Sequence, residues 1–195
     1  MNLPNKLTLL RVLMAPLFLL LLVWDFPFHH LAACAVFAIA SLTDYIDGKL
    51  ARKYHLITNL GKFLDPLADK MLTTAAFLGF LAAGKLDVWA VMLILSREFL
   101  VTSVRLMAAK DGTVVAASFW GKFKTVMQMV SIIFMLVALE WESWQHTVLK
   151  DVALPAEVFS VPLMAGRVLV WVAVVLTIVS GVQYFWQFRH LMSEK

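Results

Sequence analysis

The residues in this chain best suited to chemistry are four aspartates, Asp44, Asp47, Asp65 and Asp69, within the stretch DYIDGKLARKYHLITNLGKFLDPLAD. On helices, Asp44 and Asp47 share a face at i, i+3, and Asp65 and Asp69 share one at i, i+4. Arg52, a short polar turn and Gly61 lie between the two pairs. If the two helices are antiparallel neighbours, both pairs converge at one end of the hairpin. Carboxylates brought so close repel by roughly 3 kcal/mol per pair at an effective dielectric of about 20. They are then protonated or hold cations. Oxygen ligands without interleaved Cys or His favour the hard divalent ions Mg2+ or Mn2+ over zinc. Two such ions would clamp a diphosphate, activate a hydroxyl and stabilise both oxygens of an in-line displacement.

The elements that must position these groups are apolar helices. Of 195 residues, 62% are hydrophobic and only 15% charged, and the mean hydropathy is +0.82. Soluble proteins carry about 25% charged residues, so the composition predicts an all-α, polytopic membrane protein forming one domain over 1–195. Residues 2–11 place Leu3, Leu7 and Leu10 at helical spacing, with Asn5, Thr8 and Arg11 on another side. They read as a short interfacial helix leading into a first span that ends near Trp24. Five more transmembrane helices are expected, near 31–52, 60–83, 88–109, 117–139 and 167–188. The 60–83 helix holds Pro66, and a loop of mixed character fills 140–165. The 31–52 helix is rich in Ala and Ser, small residues that let helices approach closely in lipid.

The net charge of +4 does not point to nucleic acid, because the basic residues lie between the apolar segments. Six spans put both termini on one side, together with Lys6, Arg11, Arg52, Lys53, Lys62, Arg105, Lys110, Lys122 and Lys124. By the positive-inside rule that side is cytoplasmic, and the aspartates share it. Cys34 is the single cysteine, so no internal disulfide can form. The residues before it resemble a lipoprotein signal, but Asp25, Pro27, His29 and His30 interrupt the apolar run that cleavage needs.

The spacing D-x-x-D-G-x-x-A-R-x8-G-x3-D-x3-D resembles the signature of the CDP-alcohol phosphotransferases, integral-membrane enzymes of phospholipid synthesis. Asp44, Asp47, Gly48, Ala51, Arg52, Gly61, Asp65 and Asp69 fill every position. The resemblance implies two divalent ions, Mg2+ or Mn2+, held chiefly by Asp44, Asp47 and Asp65. Asp69 would complete that site and act as general base towards the attacking alcohol. The cytidine would lie against Gly48, Ala51 and Gly61, whose lack of bulk admits a flat base, and Arg52 would contact the diphosphate. A homodimer is implied as well.

Three further stretches, PNKLTLLR at 4–11, REFLVTSVR at 97–105 and GKFKTVMQM at 121–129, are similar to the branch of that family that makes phosphatidylglycerophosphate. This implies the lipid CDP-diacylglycerol and sn-glycerol 3-phosphate as substrates, with CMP leaving, at the cytoplasmic membrane of a bacterium. Arg105, Lys124, Lys122 and Arg11 become candidates for the acceptor phosphate, and Asn5 and Thr8 for phosphate or headgroup contacts. Glu98, Thr102 and Arg105 fall on one stripe of the fourth helix with Arg97 beside it. Such ionisable groups within a span are functional or tie helices together. Sister enzymes with other acceptors share the aspartate motif. A divalent-cation transporter fits less well, since its site belongs near the bilayer midplane and Arg52 would repel the cargo. A silent scaffold leaves the complete motif without a purpose.

Overall fold

The computed structural model describes the backbone at residues 3–54, 59–110, 118–145, 147–152, 155 and 157–192. Side chains are described at 8–44, 68, 70–108, 118–145, 147–152, 155 and 157–186. The described residues form six helices and no strand: α1 (Leu3–Val23), α2 (His29–Tyr54), α3 (Asn59–Ala82), α4 (Val88–Lys110), α5 (Phe119–Trp144) and α6 (Glu157–Met192). α5 and the Glu157–Trp186 part of α6 are long and apolar enough to cross a membrane; α1, α2 and α3 contain shorter apolar stretches.

α1 packs closely against both α2 and α3, whereas α2 and α3 touch each other only briefly. α6 lies against α5 and α4, and α2 reaches α5. The core is a column of fully buried side chains, including Phe18, Phe37, Phe77, Ile94, Leu136 and Val174. Large apolar residues also cover the outside, among them Leu13, Trp89, Leu100, Val161 and Phe185. So much exposed apolar surface would drive aggregation in water and belongs in lipid.

Two observations revise the expected boundaries. The N-terminal segment is not a separate interfacial helix but the opening turns of α1, with Pro16 farther along the same helix. Its polar side faces inward: Thr8 and Arg11 are buried while Leu9 and Leu10 are exposed. The expected loop at 140–165 is mostly helical. α5 continues to Trp144 and α6 begins at Glu157, with Pro162 inside it. Proline has no N–H to give the carbonyl four residues earlier, so Val158 would lack its helical partner. Trp141 supplies one, its indole Nε1–H donating to the Val158 carbonyl at 3.0 Å. The Trp141 ring also lies against Phe159 with centroids 5.9 Å apart. A cross-helix donor thus carries α6 through a residue that reads as a helix stop.

The turn after α3 has a local cause. Gly84 adopts φ +67°, a conformation that costs other residues about 1–2 kcal/mol. Its N–H donates to Leu81 O and that of Lys85 to Phe80 O, both at 2.9 Å, closing the helix end as a Schellman motif.

Candidate active site

A layer of buried polar groups crosses the bundle at the end where α1, α3 and α5 begin. Thr8, Arg11, Glu98, Lys124, Gln128, Ser131, Thr177 and Ser180 are all buried. Unpaired charges in an apolar interior are costly, so each must find a partner.

Asp44 finds Arg11. A guanidinium nitrogen of Arg11 lies 2.5 Å from Asp44 Oδ1, with the Asp44 side chain 36% exposed. This modifies the electrostatic argument from sequence, because one of the four carboxylates already has a cation from α1 beside it. A carboxylate offers about four lone-pair sites, so the pairing does not preclude a bound ion. Ala40 and Ser41 of α2, Leu72 and Thr73 of α3 and Met129 of α5 line the crevice beside Arg11 and Asp44. Asp69 lies one turn before Thr73 along α3.

Asp47, Gly48, Ala51 and Arg52 lie on α2, and Gly61, Asp65 and Asp69 on α3. Their side chains are outside the described residues, as is that of Asn5 on α1. Among the described residues no group of three or more His, Cys, Asp or Glu is placed to hold a metal. The fit of a divalent ion therefore rests on the chemistry of the donor set. Four carboxylates on two helices suit a hard, oxygen-seeking cation.

Glu98 is the hub of the layer. Its carboxylate accepts from Lys70 of α3 at 2.7 Å and from Lys124 of α5. Lys124 also donates to Gln128 at 3.2 Å, and Gln128 to Thr177 of α6 at 3.3 Å. Four helices are joined through one chain of charge-assisted and neutral hydrogen bonds. Lys70, which sequence reasoning passed over, is bound into this network; its position immediately after Asp69 was the available signal.

The other candidates separate. Thr102 donates to the Glu98 carbonyl at 2.7 Å, a bond within its own helix. Lys122 is exposed. Arg105 donates to the hydroxyl of Tyr184, and its guanidinium carbon stands 5.0 Å from the centre of that ring. The guanidinium carbon of Arg97 stands 5.6 Å from the centre of the same ring. Tyr184 also accepts from the Ser118 N–H at 3.3 Å, at the N-cap of α5. The tyrosine was missed from sequence because nothing local distinguishes it within an apolar helix. Lys124, Lys70 and Glu98 thus lie together in the bundle interior, while Arg97 and Arg105 both lie against Tyr184 at the α4–α6 junction.

This bundle, with its aspartate-bearing α2 and α3 and its buried basic layer, agrees with a comparison against known families. Residues 1–179 match the model of the CDP-alcohol phosphatidyltransferase family. The chain belongs to that family. It is 41% identical to the CDP-diacylglycerol–glycerol-3-phosphate 3-phosphatidyltransferase of Bacillus subtilis, over 94% of this chain and 93% of the relative. It is 40% identical to a probable phosphatidylglycerophosphate synthase of Mycobacterium tuberculosis, over 94% of this chain and 79% of that protein. The Escherichia coli protein bearing the same name as the Bacillus one is 35% identical, over 94% and 92%.

Proposed function

We propose that this protein transfers the phosphatidyl group of CDP-diacylglycerol to sn-glycerol 3-phosphate, giving phosphatidylglycerophosphate and CMP. The observation that carries the reading is the complete aspartate motif on α2 and α3, in a chain alike along nearly its full length to relatives named for this reaction. The C1 hydroxyl of the acceptor attacks the phosphorus that bears diacylglycerol. The bond from that phosphorus to the CMP oxygen breaks, CMP departs as an anion, and the hydroxyl proton passes to Asp69. Asp44, Asp47, Asp65 and Asp69 would hold two divalent ions, Mg2+ or Mn2+, which supply charge neutralisation on the diphosphate. Arg52 takes a diphosphate oxygen, and the small residues Gly48, Ala51 and Gly61 admit the cytidine.

Arg105, with Lys124 and Lys122 on α5, provides the positive charge for the acceptor, itself a phosphate dianion. An uncharged acceptor such as serine would not need it. Glu98 holds Lys124 and Lys70 in place, and Arg11 holds Asp44. The bundle crosses a bacterial cytoplasmic membrane six times, with both termini and the aspartates on the cytoplasmic side. The Lys/Arg bias of the sequence supports that orientation.

The test uses purified full-length protein in detergent with CDP-diacylglycerol and a panel of acceptors, products being identified by mass spectrometry. Phosphatidylglycerophosphate and CMP should form in equal amounts only with glycerol 3-phosphate and a divalent ion. Preferred turnover of inositol phosphate or serine would reassign the acceptor, and full turnover after exhaustive chelation would end the metal reading.

A further inference from the structure

A cavity of about 550 Å3 opens between α4 and α6, within the range of roughly 300–1,000 Å3 that ligand pockets occupy. Its walls are apolar, formed by Leu93, Leu100 and Val104 of α4 and Ile178, Val182 and Phe185 of α6. Arg97 stands in this lining as its one charged residue, with Ser96 and Tyr184 as the other polar members. A guanidinium has five N–H donors and no acceptor, and leaving them unmet in apolar surroundings is costly. Yet the hydrogen bond Arg97 makes to Glu98 Oε1 is long, at 3.4 Å, and that oxygen already accepts from Lys124. Its Nε is buried with no acceptor at all.

Arg97 lies here because α6 makes room for it. A Cβ at Gly181 would stand 3.0 Å from Arg97 Cγ, so the position tolerates little beyond glycine. A Cβ at Gly121, in the first turn of α5, would stand 3.9 Å from an Arg97 terminal nitrogen. The guanidinium is therefore level with the N-terminal end of α5. There the apolar span of that helix starts, and its dipole adds positive potential. A cation set in the wall of an apolar groove, level with the start of a span, matches a lipid whose chain lies in the groove and whose charge is negative.

We propose that the α4–α6 groove holds an anionic phospholipid as a resident ligand that does not react, with one acyl chain along the apolar walls and its phosphate on Arg97. The reacting donor is not the occupant, because among the described residues α2, which carries Asp44 and Asp47, makes no packing contact with α4 or α6. The proposal concerns binding alone and does not depend on the transferase reading.

Native mass spectrometry of the full chain in detergent tests it, with dioleoylphosphatidylglycerol and dioleoylphosphatidylcholine offered in equal amounts and no nucleotide lipid present. Both lipids have a phosphate, but choline cancels its charge. The wild-type protein should retain phosphatidylglycerol over phosphatidylcholine by roughly tenfold, the scale of one charge-assisted contact. Arg97→Gln should bring the two lipids to parity. Val182→Trp fills the groove from a residue that is 52% exposed and should abolish retention of both, with the melting temperature in lipid-free detergent unchanged. Equal retention by the wild-type protein, or a preference surviving in Arg97→Gln, would overturn the proposal. So would undiminished retention in Val182→Trp, which decides the matter if Arg97→Gln does not fold. Displacement of the retained lipid by millimolar glycerol 3-phosphate would also overturn it and assign Arg97 to a soluble phosphate ligand.

Discussion

At the scale of single residues, the charges of this protein are ordered by how much water each retains. The Lys124 side chain is 4% exposed and that of Lys70 is 22% exposed, although both reach Glu98. Removing one partner of a buried pair leaves an uncompensated charge at a cost of about 3–5 kcal/mol. Glu98→Ala should therefore lower the melting temperature strongly, and Lys70→Ala only slightly. Equal losses in thermal unfolding would show that the Lys70 contact stabilises the bundle no less than the Lys124 contact does. Arg105 stacks on Tyr184 rather than pairing with a carboxylate among the described residues, so it can receive an anion without surrendering an ion pair. A charge-assisted contact contributes about 1.5–3 kcal/mol. Arg105→Ala should then reduce kcat/KM for glycerol 3-phosphate roughly tenfold to a hundredfold, while the KM for CDP-diacylglycerol stays nearly constant. Lys110→Ala, which removes a charge assigned to topology alone, is the control; an equal loss there would mean a diffuse surface field. Asp69→Asn should keep nucleotide-lipid binding and lose turnover, whereas Asp47→Asn should weaken both. Binding measured by calorimetry beside steady-state rates separates a base from one more metal ligand.

At the scale of elements, α6 shows how a helix can outlast a proline. Pro162 leaves the Val158 carbonyl without its helical donor, and Trp141 provides one from α5. Trp141→Phe keeps the ring against Phe159 but loses the N–H, at a cost of about 0.5–1.5 kcal/mol. Pro162→Ala restores an N–H inside α6 itself. The penalty of Trp141→Phe should therefore shrink in the Pro162→Ala background, and a double-mutant cycle followed by thermal unfolding reads the coupling. Strictly additive effects would mean that the indole bond does not stand in for the missing one. The same pairing locks the start of α6 to the end of α5, holding the Thr177–Gln128 and Tyr184–Ser118 contacts in register farther along.

At the scale of the whole molecule, the apolar exterior and the polar layer near one end define an orientation. In the proposed topology that end, where Lys and Arg are enriched, faces the cytoplasm by the positive-inside rule. A single cysteine introduced at Lys53 or Asn59, in a Cys34→Ser background, should resist membrane-impermeant thiol reagents in intact cells and react after lysis. Labelling from outside would invert the topology and detach the aspartates from cytosolic glycerol 3-phosphate.

The sequence by itself determined the helical class, the near-correct limits of α2 to α4, the aspartate motif and, through that motif, the family. These are local or periodic properties. Apolar runs of helical length and fixed spacings along one helix need no knowledge of neighbours. The tertiary structure decided which charges meet. Arg11 and Asp44, or Glu98 with Lys70 and Lys124, are far apart in the chain, and only the packing of α1, α3 and α5 around the polar layer brings them together. It also carried α6 back to Glu157 through Pro162, because the missing donor came from another helix. The inward turn of Thr8 and Arg11 has the same origin. In lipid the apolar side of a helix faces out and its polar side seeks protein, so the amphipathic pattern of residues 2–11 marked two faces without saying which one would be buried.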